Sequence, residues 1–340
     1  VTVTLKDIAR RVNRSVTTVS RALHDYDDVS QETRELIRHT ARELGYTPNV
    51  VAQRLQKRRT DTLGLILPTL GPRLSDPHFG EVLAGVGDEV AHDGFDLLIS
   101  ITDPHLDELE TYRQKISGRR VDGVLVVRTR CHDERVEFLL SHSMPFVAYG
   151  RVLDDRDFPY VDVDHAAGMR ALMHHLSDLG HRRIGCVTGS SDFTFVHYQL
   201  EGFRQAMAAC ALTVDEDLMV EADLSQKGGY GGAQTLLSQS DPPTAIVASN
   251  DLMALGAMSA AQDHGLDVGR DIAVAGFGDI PWADTSHPTL TTVRQPAHRL
   301  GQLIGQMLVA EACGEPLTER HMLLEPSLII RQSTNLDLWL

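Results

Sequence analysis

Apolar residues recur at Leu5, Ile8, Ala9 and Val12, the i, i+3, i+4, i+7 spacing of one helical face. Thr4 stands where a helix N-cap belongs, and Asp7 follows three residues on, where a carboxylate favours the helix N-terminus. Asn13-Arg14 breaks the pattern, and Asn tolerates a left-handed turn conformation. Ser15 is placed to cap a second helix from Val16 to about Leu23, with Val19 and Leu23 inward and Thr17, Ser20 and Arg21 outward. Two short helices across such a turn predict a helix-turn-helix, whose second helix fits a DNA major groove. Ser30 caps a third helix carrying Leu36, Ile37, Ala41 and Leu44, with Gly45 as its stop. The stretch 50–56 is helix-competent but shorter than the roughly 12–15 residues that make an isolated helix marginal in water. It is expected to form only when braced by a partner copy and by DNA.

From Asp61 the rhythm changes. Short apolar runs at 63–67, 96–100, 121–127 and 145–148 predict buried strands, separated by helical stretches near 79–93, 106–117 and 133–142. A second series follows, with strands at 183–188, 219–221, 245–248 and 272–277 and helices near 165–179, 198–211, 229–238 and 252–264. Alternating β and α units predict parallel sheets covered on both faces, and two series predict two similar lobes. Ligands in such folds bind outside the carboxyl ends of the strands, here in the cleft between lobes.

Charge sharpens this picture. The whole chain of 340 residues carries a formal −15. Residues 1–59 hold twelve Lys and Arg against seven Asp and Glu, a net +5, and the remainder holds twenty against forty, a net −20. A basic head on an acidic body suits an arm that meets a polyanion. With 42% hydrophobic and 23% charged residues the composition is globular. Cys131, Cys186, Cys210 and Cys313 lie far apart without a C-x-x-C pair, so neither a zinc site nor a disulfide framework is expected. No apolar run approaches the roughly 20 residues that span a bilayer. The first residues lack the basic-then-apolar layout of a secretory signal. A soluble, reducing, cytoplasmic setting is the expectation, with no membrane partner.

Motifs for catalysis or cofactors are missing. The chain has no Gly-x-Ser-x-Gly elbow, Walker loop or His-Glu-x-x-His helix. Gly228-Gly229-Tyr230-Gly231-Gly232 lacks a following Lys-Ser/Thr and is expected as a helix-start loop. His174, His175 and His181 flank a helix end without metal spacing, and Asp162-Val163-Asp164 suits a strand end and helix cap better than a cation. No enzyme activity, cofactor or metal is expected.

Four signatures in register carry a specific resemblance: 4–9 (Thr-Leu-Lys-Asp-Ile-Ala), 15–23 (Ser-Val-Thr-Thr-Val-Ser-Arg-Ala-Leu), 29–34 (Val-Ser-Gln-Glu-Thr-Arg) and 44–49 (Leu-Gly-Tyr-Thr-Pro-Asn). Together they resemble the headpiece of the lactose-repressor family, and the likeness continues to about residue 331. In the body, Asn250 to Gly256, Gly276 to Ile280 and Leu290 to Pro296 resemble the same family's periplasmic-binding-protein-like sensor. The resemblance implies an all-α helix-turn-helix headpiece at 1–48, a hinge helix and linker at 49–60, and a two-lobed α/β effector-binding and dimerisation domain with parallel sheets at 61–340. Its first lobe would comprise about 61–160 plus 291–331, and its second about 161–290. The implied function is a homodimeric, sequence-specific transcription regulator, a repressor of carbohydrate-use genes that a small sugar releases from double-stranded palindromic operator DNA. The rival readings are a solute-binding transport protein, a small-molecule enzyme on a two-lobed fold, and a regulator answering to a nucleobase corepressor.

By position the resemblance turns Val16, Thr17 and Arg21 toward base edges, where Arg can hold a guanine and Val and Thr suit a thymine methyl. Thr4, Ser15, Thr18, Ser20 and Asn49 would contact phosphates or cap helices. Leu55 matches a hinge leucine that wedges into the minor groove. Asn13-Arg14 departs from the family's usual Gly-apolar turn.

Strand-end residues are the effector candidates. Asn250 and Asp251 open a helix after the strand at 245–248, Asp279 follows that at 272–277, Arg151 follows that at 145–148, and Gln295 lies at the lobe crossing. Buried hydroxyls need paired donors and acceptors, since each one left unpaired costs roughly 1–3 kcal/mol. Phe79, Phe195 and Trp282 are candidate aromatic platforms. Gln199 stands where many relatives have Arg, and Gly278 where they have Asp. Residues 75–79, 121–130 and 160–164 resemble the regulators that sense α-glucosides. Arg128 and Arg130 end a strand there, placed either to reach a second sugar ring or to form a structural ion pair.

Overall fold

Helices α1 (Leu5–Val12), α2 (Val16–Leu23) and α3 (Gln31–Glu43) build an N-terminal unit, Val1–Thr60, that is compact by itself. The computed structural model describes residues 3–24, 26–47, 59–67, 75–102 and 108–335. At the start of α1, one Asp7 carboxylate oxygen accepts from both the amide and the hydroxyl of Thr4, at 2.9 and 2.7 Å. The helix ends at Asn13, whose φ of 49° and ψ of 51° are left-handed. A short polar side chain is what permits that turn without glycine. Ser15 Oγ accepts from the Thr18 amide and caps α2, and Ser30 does the same for α3 through Thr33. Ile8, Ala9, Val19, Ala22, Val29, Ile37 and Ala41 form the core. Leu23 packs against this core, half-buried beside the fully buried Ala22. One expectation shifts here: Leu36 is 50% exposed because Ile37, Thr40 and Ala41 occupy the inner face of α3. Asn49, Leu55 and most of the expected hinge lie outside the described residues.

The second unit, Asp61–Leu340, contains two six-stranded sheets. The first takes β1 (Thr62–Leu67), β2 (Asp96–Ile101), β3 (Gly123–Val127), β4 (Phe146–Tyr149), β5 (Tyr160–Val163) and β11 (His321–Leu324), in the order β11-β5-β4-β3-β1-β2. All of its pairings are parallel. The second takes β6 (Ile184–Thr188), β7 (Met219–Glu221), β8 (Ala245–Ala248), β9 (Ala273–Gly278), β10 (Thr291–Arg294) and β12 (Ser327–Ile329), in the order β12-β10-β9-β8-β6-β7. Only β12 runs antiparallel to its neighbour, β10.

Helices cover both faces of each sheet, as continuous apolar strands require. α4 (Pro77–His92) and α12 (Ala297–Cys313) bury one side of the first sheet, and α5 (Glu108–Ser117) and α6 (Glu134–Ser141) the other. In the second lobe α7 (His165–Asp178) and α8 (Thr194–Ala209) lie opposite α9 (Gln226–Leu237) and α10 (Asp251–Asp263), with the short α11 (Pro281–Thr285) at the end of β9.

Strand pairing corrects the lobe boundaries. β5 belongs to the first sheet, so the chain crosses after Val163 and not at 160. Residues 291–294 pair with β9 in the second lobe, so the return follows Arg294, and β12 then carries the chain back once more. The run Gly228–Gly232 is also corrected, because it lies inside α9 and not in a loop before it. A Cβ on Gly229 would sit 2.2 Å from the Met253 carbonyl oxygen, and one on Gly256 would sit 2.0 Å from that of Gln226. These glycines let α9 and α10 pack backbone to backbone.

Candidate functional site

Val19 and Ala22 anchor α2 in the headpiece core, which leaves Val16, Thr17 and Arg21 on its exposed face. That is the arrangement a groove-reading helix needs. The Arg21 guanidinium rests 2.7 Å from Asp28 and stands over the Tyr26 ring, 5.1 Å from its centroid. Ser15 and Thr18 are joined through their hydroxyls at 2.8 Å, so both serve the cap, as Thr4 does at α1. Ser20 is half-buried, and its carbonyl oxygen lies 2.6 Å from His24 Nδ1.

In the second unit a cleft between the lobes encloses about 820 Å³ of empty space, its open mouth included. It lies at the carboxyl ends of the strands, where the α/β rule puts it. The first lobe supplies Asp76, His78 and Phe79 at the start of α4, Val127 to Thr129 at the end of β3, Tyr149 and Gly150 at the end of β4, and Asp162 of β5. The second supplies His165, Phe195, Gln199, Leu224, Ser249 to Leu252, Phe277 and Ile280, with Gln295 at the crossing. A lining that mixes aromatic faces with charged and amide groups suits a compact polar organic ligand.

Local structure fixes each polar group. Asp76 caps α4 by accepting from the His78 amide at 3.1 Å, with Pro77 in the first turn. His78 Nε2 lies 3.0 Å from the Tyr149 hydroxyl. Arg128 occupies a left-handed turn, φ 51°, and its carbonyl oxygen accepts from the buried Arg135 at 2.9 Å. Burial pushes the Arg128 guanidinium below its usual range, and the Asp76 carboxylate acts against that. Asn250 caps α10 through the Met253 amide and donates to the Leu224 carbonyl oxygen. Asp251 therefore does not cap its helix. One of its oxygens accepts from the Ile280 amide at 2.8 Å, and the other lies 2.5 Å from Thr292 Oγ1.

Three expected ligands stay off the cleft wall. Arg151 is drawn to Asp162 at 2.7 Å and stacks 3.9 Å over the Tyr198 ring. Asp279 turns to Arg294 and Arg331, at 2.6 and 2.8 Å, beside a separate hollow shared with Glu81 and His298. Trp282 is 49% exposed on α11, where Ala283 takes the buried position. Arg130 pairs with Glu108 at 2.6 Å, the ion-pair alternative. Phe79, Arg128, Phe195, Gln199, Asn250, Asp251 and Gln295 come together in the lining, and Asp76, His78, Tyr149, Asp162 and His165 join them unanticipated. The signal for Asp76 was its cap position before Pro77. Among the described residues no group of three or more His, Cys, Asp or Glu side chains could hold a metal, and no helix is long and apolar enough to cross a membrane. Asp162 binds Arg151 and Asp164 caps α7 through the Ala167 amide, so that pair serves as strand end and helix cap.

Two buried groups give the site a pH signature. Burial raises Asp251 to about 7 from 3.8, against the bonds from Thr292 and Ile280. Its contribution to stability is fully present below about pH 4 and is lost as pH rises through about 7. Burial lowers His78 to about 4 from 6.5, so its contribution is present above pH 6.5 and is lost as pH falls through 4. The two oppose each other between about pH 4 and 6.5. Asp251→Asn is expected to remove one limb, of about 4 kcal/mol for three pK units, so that the melting temperature of the variant climbs with pH across that window relative to wild type. Parallel melting curves for the two proteins would contradict a raised Asp251.

Residues 4–49 match the family described as bacterial regulatory proteins, lacI family, and residues 173–334 match the periplasmic binding protein-like domain. The HTH-type transcriptional regulator AglR of Rhizobium meliloti (strain 1021) is 34% identical over 98% of this chain and 94% of its own. Among solved structures, a transcriptional regulator CelR–cellobiose complex aligns with a TM-score of 0.74 at 30% identity, over 97% of this chain and 99% of the other. The lac repressor dimer bound to operator and the anti-inducer ONPF aligns with a TM-score of 0.86 at 27% identity, over 98% and 100%.

Proposed function

From the premise that the chain belongs to the lacI family of bacterial regulatory proteins, DNA-binding transcription regulators, we propose that it is a cytoplasmic repressor of carbohydrate-use genes released from its operator by a small sugar. In this reading two copies pair through their bodies and present two headpieces to a two-fold-symmetric operator. Val16, Thr17 and Arg21 read bases, Thr4, Ser15, Thr18, Ser20 and Asn49 sit at the backbone or cap helices, and Leu55 wedges the minor groove. Sugar in the cleft shifts the lobes, and a differential affinity of a few kcal/mol between the two states suffices to couple the sites.

The observation that carries the sugar reading is the cleft itself. Phe79, Phe195 and Phe277 offer apolar faces beside Asp76, Arg128, Gln199, Asn250 and Gln295, which offer donors and acceptors. A pyranose has the same two-sided character. The CelR structure is a complex with cellobiose, and the α-linked glucoside proposed for this chain rests on the resemblance of residues 75–79, 121–130 and 160–164 to regulators that sense α-glucosides. A thermal-shift panel of maltose, trehalose, sucrose, cellobiose, adenosine and cytidine tests it. An α-glucoside is expected to give the largest rise in melting temperature, and a rise with nucleosides alone would overturn the sugar reading.

For the headpiece, Arg21→Ala is expected to cost roughly 1–3 kcal/mol at the preferred duplex and to relax one base preference. The Asp28 pair that Arg21 leaves is exposed and worth roughly 0–1 kcal/mol, so it does not oppose transfer to a base. Selectivity unchanged in a binding competition would remove Arg21 from base readout.

A further inference from the structure

Two polar atoms on the cleft wall are buried without a hydrogen-bond partner, His165 Nδ1 and Gln199 Oε1. A buried polar atom left unpaired is costly, so an orphan facing a cavity points to what the cavity binds. The neighbours decide which role each orphan plays. Gln199 Nε2 donates to the Ser249 carbonyl oxygen at 3.1 Å. A carbonyl oxygen can only accept, so the amide is oriented and Oε1 is the atom left over. His165 Nε2 lies 3.4 Å from Asp162 Oδ1, and the same carboxylate accepts from Arg151 Nε and the Val163 amide. The ring nitrogen facing a carboxylate carries the hydrogen, and in that tautomer Nδ1 keeps its lone pair.

Both orphans are therefore acceptors, and both come from the second lobe. We propose that His165 Nδ1 and Gln199 Oε1 form an acceptor pair that selects effectors by their hydrogen-bond donors, and that the class selected is a neutral, polyhydroxylated glycoside donating two hydroxyls. The inference rests on the reading of the cleft as the effector site. Phosphate oxygens are acceptors themselves, so a phosphoryl group placed against this pair cannot satisfy it. Phe195 and Phe277 flank the His165 ring, with centroids 5.9 and 5.4 Å away, and give the acceptor an apolar surround. His165 thus joins Gln199 as a specificity-determining residue, though nothing in its sequence context marks it as one.

The test uses the full-length chain and calorimetric titration with maltose, trehalose, sucrose and cellobiose, followed by deoxy and deoxyfluoro analogues of whichever binds most tightly. Fluorine removes the donor while keeping the bulk and the electronegative atom. At two hydroxyl positions, the deoxy and deoxyfluoro analogues are both expected to bind roughly ten- to hundred-fold more weakly than the parent, as for a buried acceptor left unpaired. One of these losses should vanish in His165→Phe and the other in Gln199→Met. The wild-type analogue series stands without the variants if either fails to fold. Fluoro analogues that bind as well as the parent at every position would overturn the acceptor pair, as would losses that persist unchanged in both variants. A sugar phosphate that binds more tightly than its parent sugar would overturn it too. No binding by any of the four disaccharides would instead overturn the sugar reading, and the glycoside class with it.

Discussion

Asp133→Ala is expected to lower the unfolding free energy by about 3–5 kcal/mol, the loss seen when one partner of a buried ion pair is removed. The Arg135 side chain is only 2% exposed. Its Nε and one terminal nitrogen hold the two Asp133 oxygens at 2.9 and 2.7 Å, and the other terminal nitrogen holds Glu108 at 2.8 Å. Burial alone would raise the Asp133 carboxyl, and the Arg135 hydrogen bond and charge more than offset it, so the group lies below its usual range. Asp133 also caps α6 by accepting from the Arg135 amide and binds the Arg130 amide, both at 3.0 Å. Alanine would leave the guanidinium in the protein interior with one carboxylate and no cap.

The damage should reach the cleft, because Arg135 holds the carbonyl oxygen of Arg128 in its left-handed turn. Urea unfolding of the variant, followed by its affinity for the sugar identified in the thermal panel, measures both consequences. Replacing Asp133 and Arg135 together by leucine should cost less than the single change, since no unpaired charge remains. A single-variant loss below 1 kcal/mol would contradict the account of this network.

Gly256→Ala should cost about 3 kcal/mol or more, at the upper end of what overpacking does. The added carbon would lie 2.0 Å from the Gln226 carbonyl oxygen and 2.6 Å from the Tyr230 amide nitrogen. Both are backbone atoms of α9, so no side chain can rotate away and the two helices must separate. Gly231 lies in the same helix and has nothing within 4 Å of its would-be Cβ. Gly231→Ala is therefore expected to change sign and stabilise by about 0.5–1 kcal/mol, the ordinary gain from removing a helical glycine. Thermal melting of the two variants side by side decides it. Equal tolerance of both would mean that α9 and α10 do not pack as closely as described.

Periodicity made the headpiece legible, because the caps at Thr4, Ser15 and Ser30 and the inward positions of α1 and α2 are short-range features, while Leu36 of α3 turned out to be exposed. The alternation of apolar runs with helices gave the α/β class for the same reason. Lobe boundaries were less legible. Residues 291–294 belong to the second sheet only by pairing with β9, a partner that local pattern does not reveal. The run at 228–232 illustrates another limit: its glycines serve the approach of α10, which local turn chemistry cannot foresee.

In the cleft, the strand-end rule put Asn250 and Asp251 on the lining, where Phe195, expected as an aromatic platform, and Gln199, expected from the family likeness, also lie. It failed for Arg151 and Asp279 because long-range ion pairs set where charged side chains point, Asp162 for the one and Arg294 and Arg331 for the other. It also missed His78 and Tyr149, which meet across 71 residues of sequence.

The coupling of cleft to headpiece is the central claim, and operator affinity with and without ligand measures it most directly. Duplexes enriched by the full-length chain from a random library would be bound in the presence of excess random competitor, and fluorescence anisotropy read as the disaccharide from the thermal panel is added. A two-fold-symmetric duplex is expected to win over the competitor and to be released, at least ten-fold more weakly bound, once the sugar saturates, which corresponds to about 1.4 kcal/mol of coupling or more. No preference for any duplex, or the same affinity at zero and saturating sugar, would contradict it.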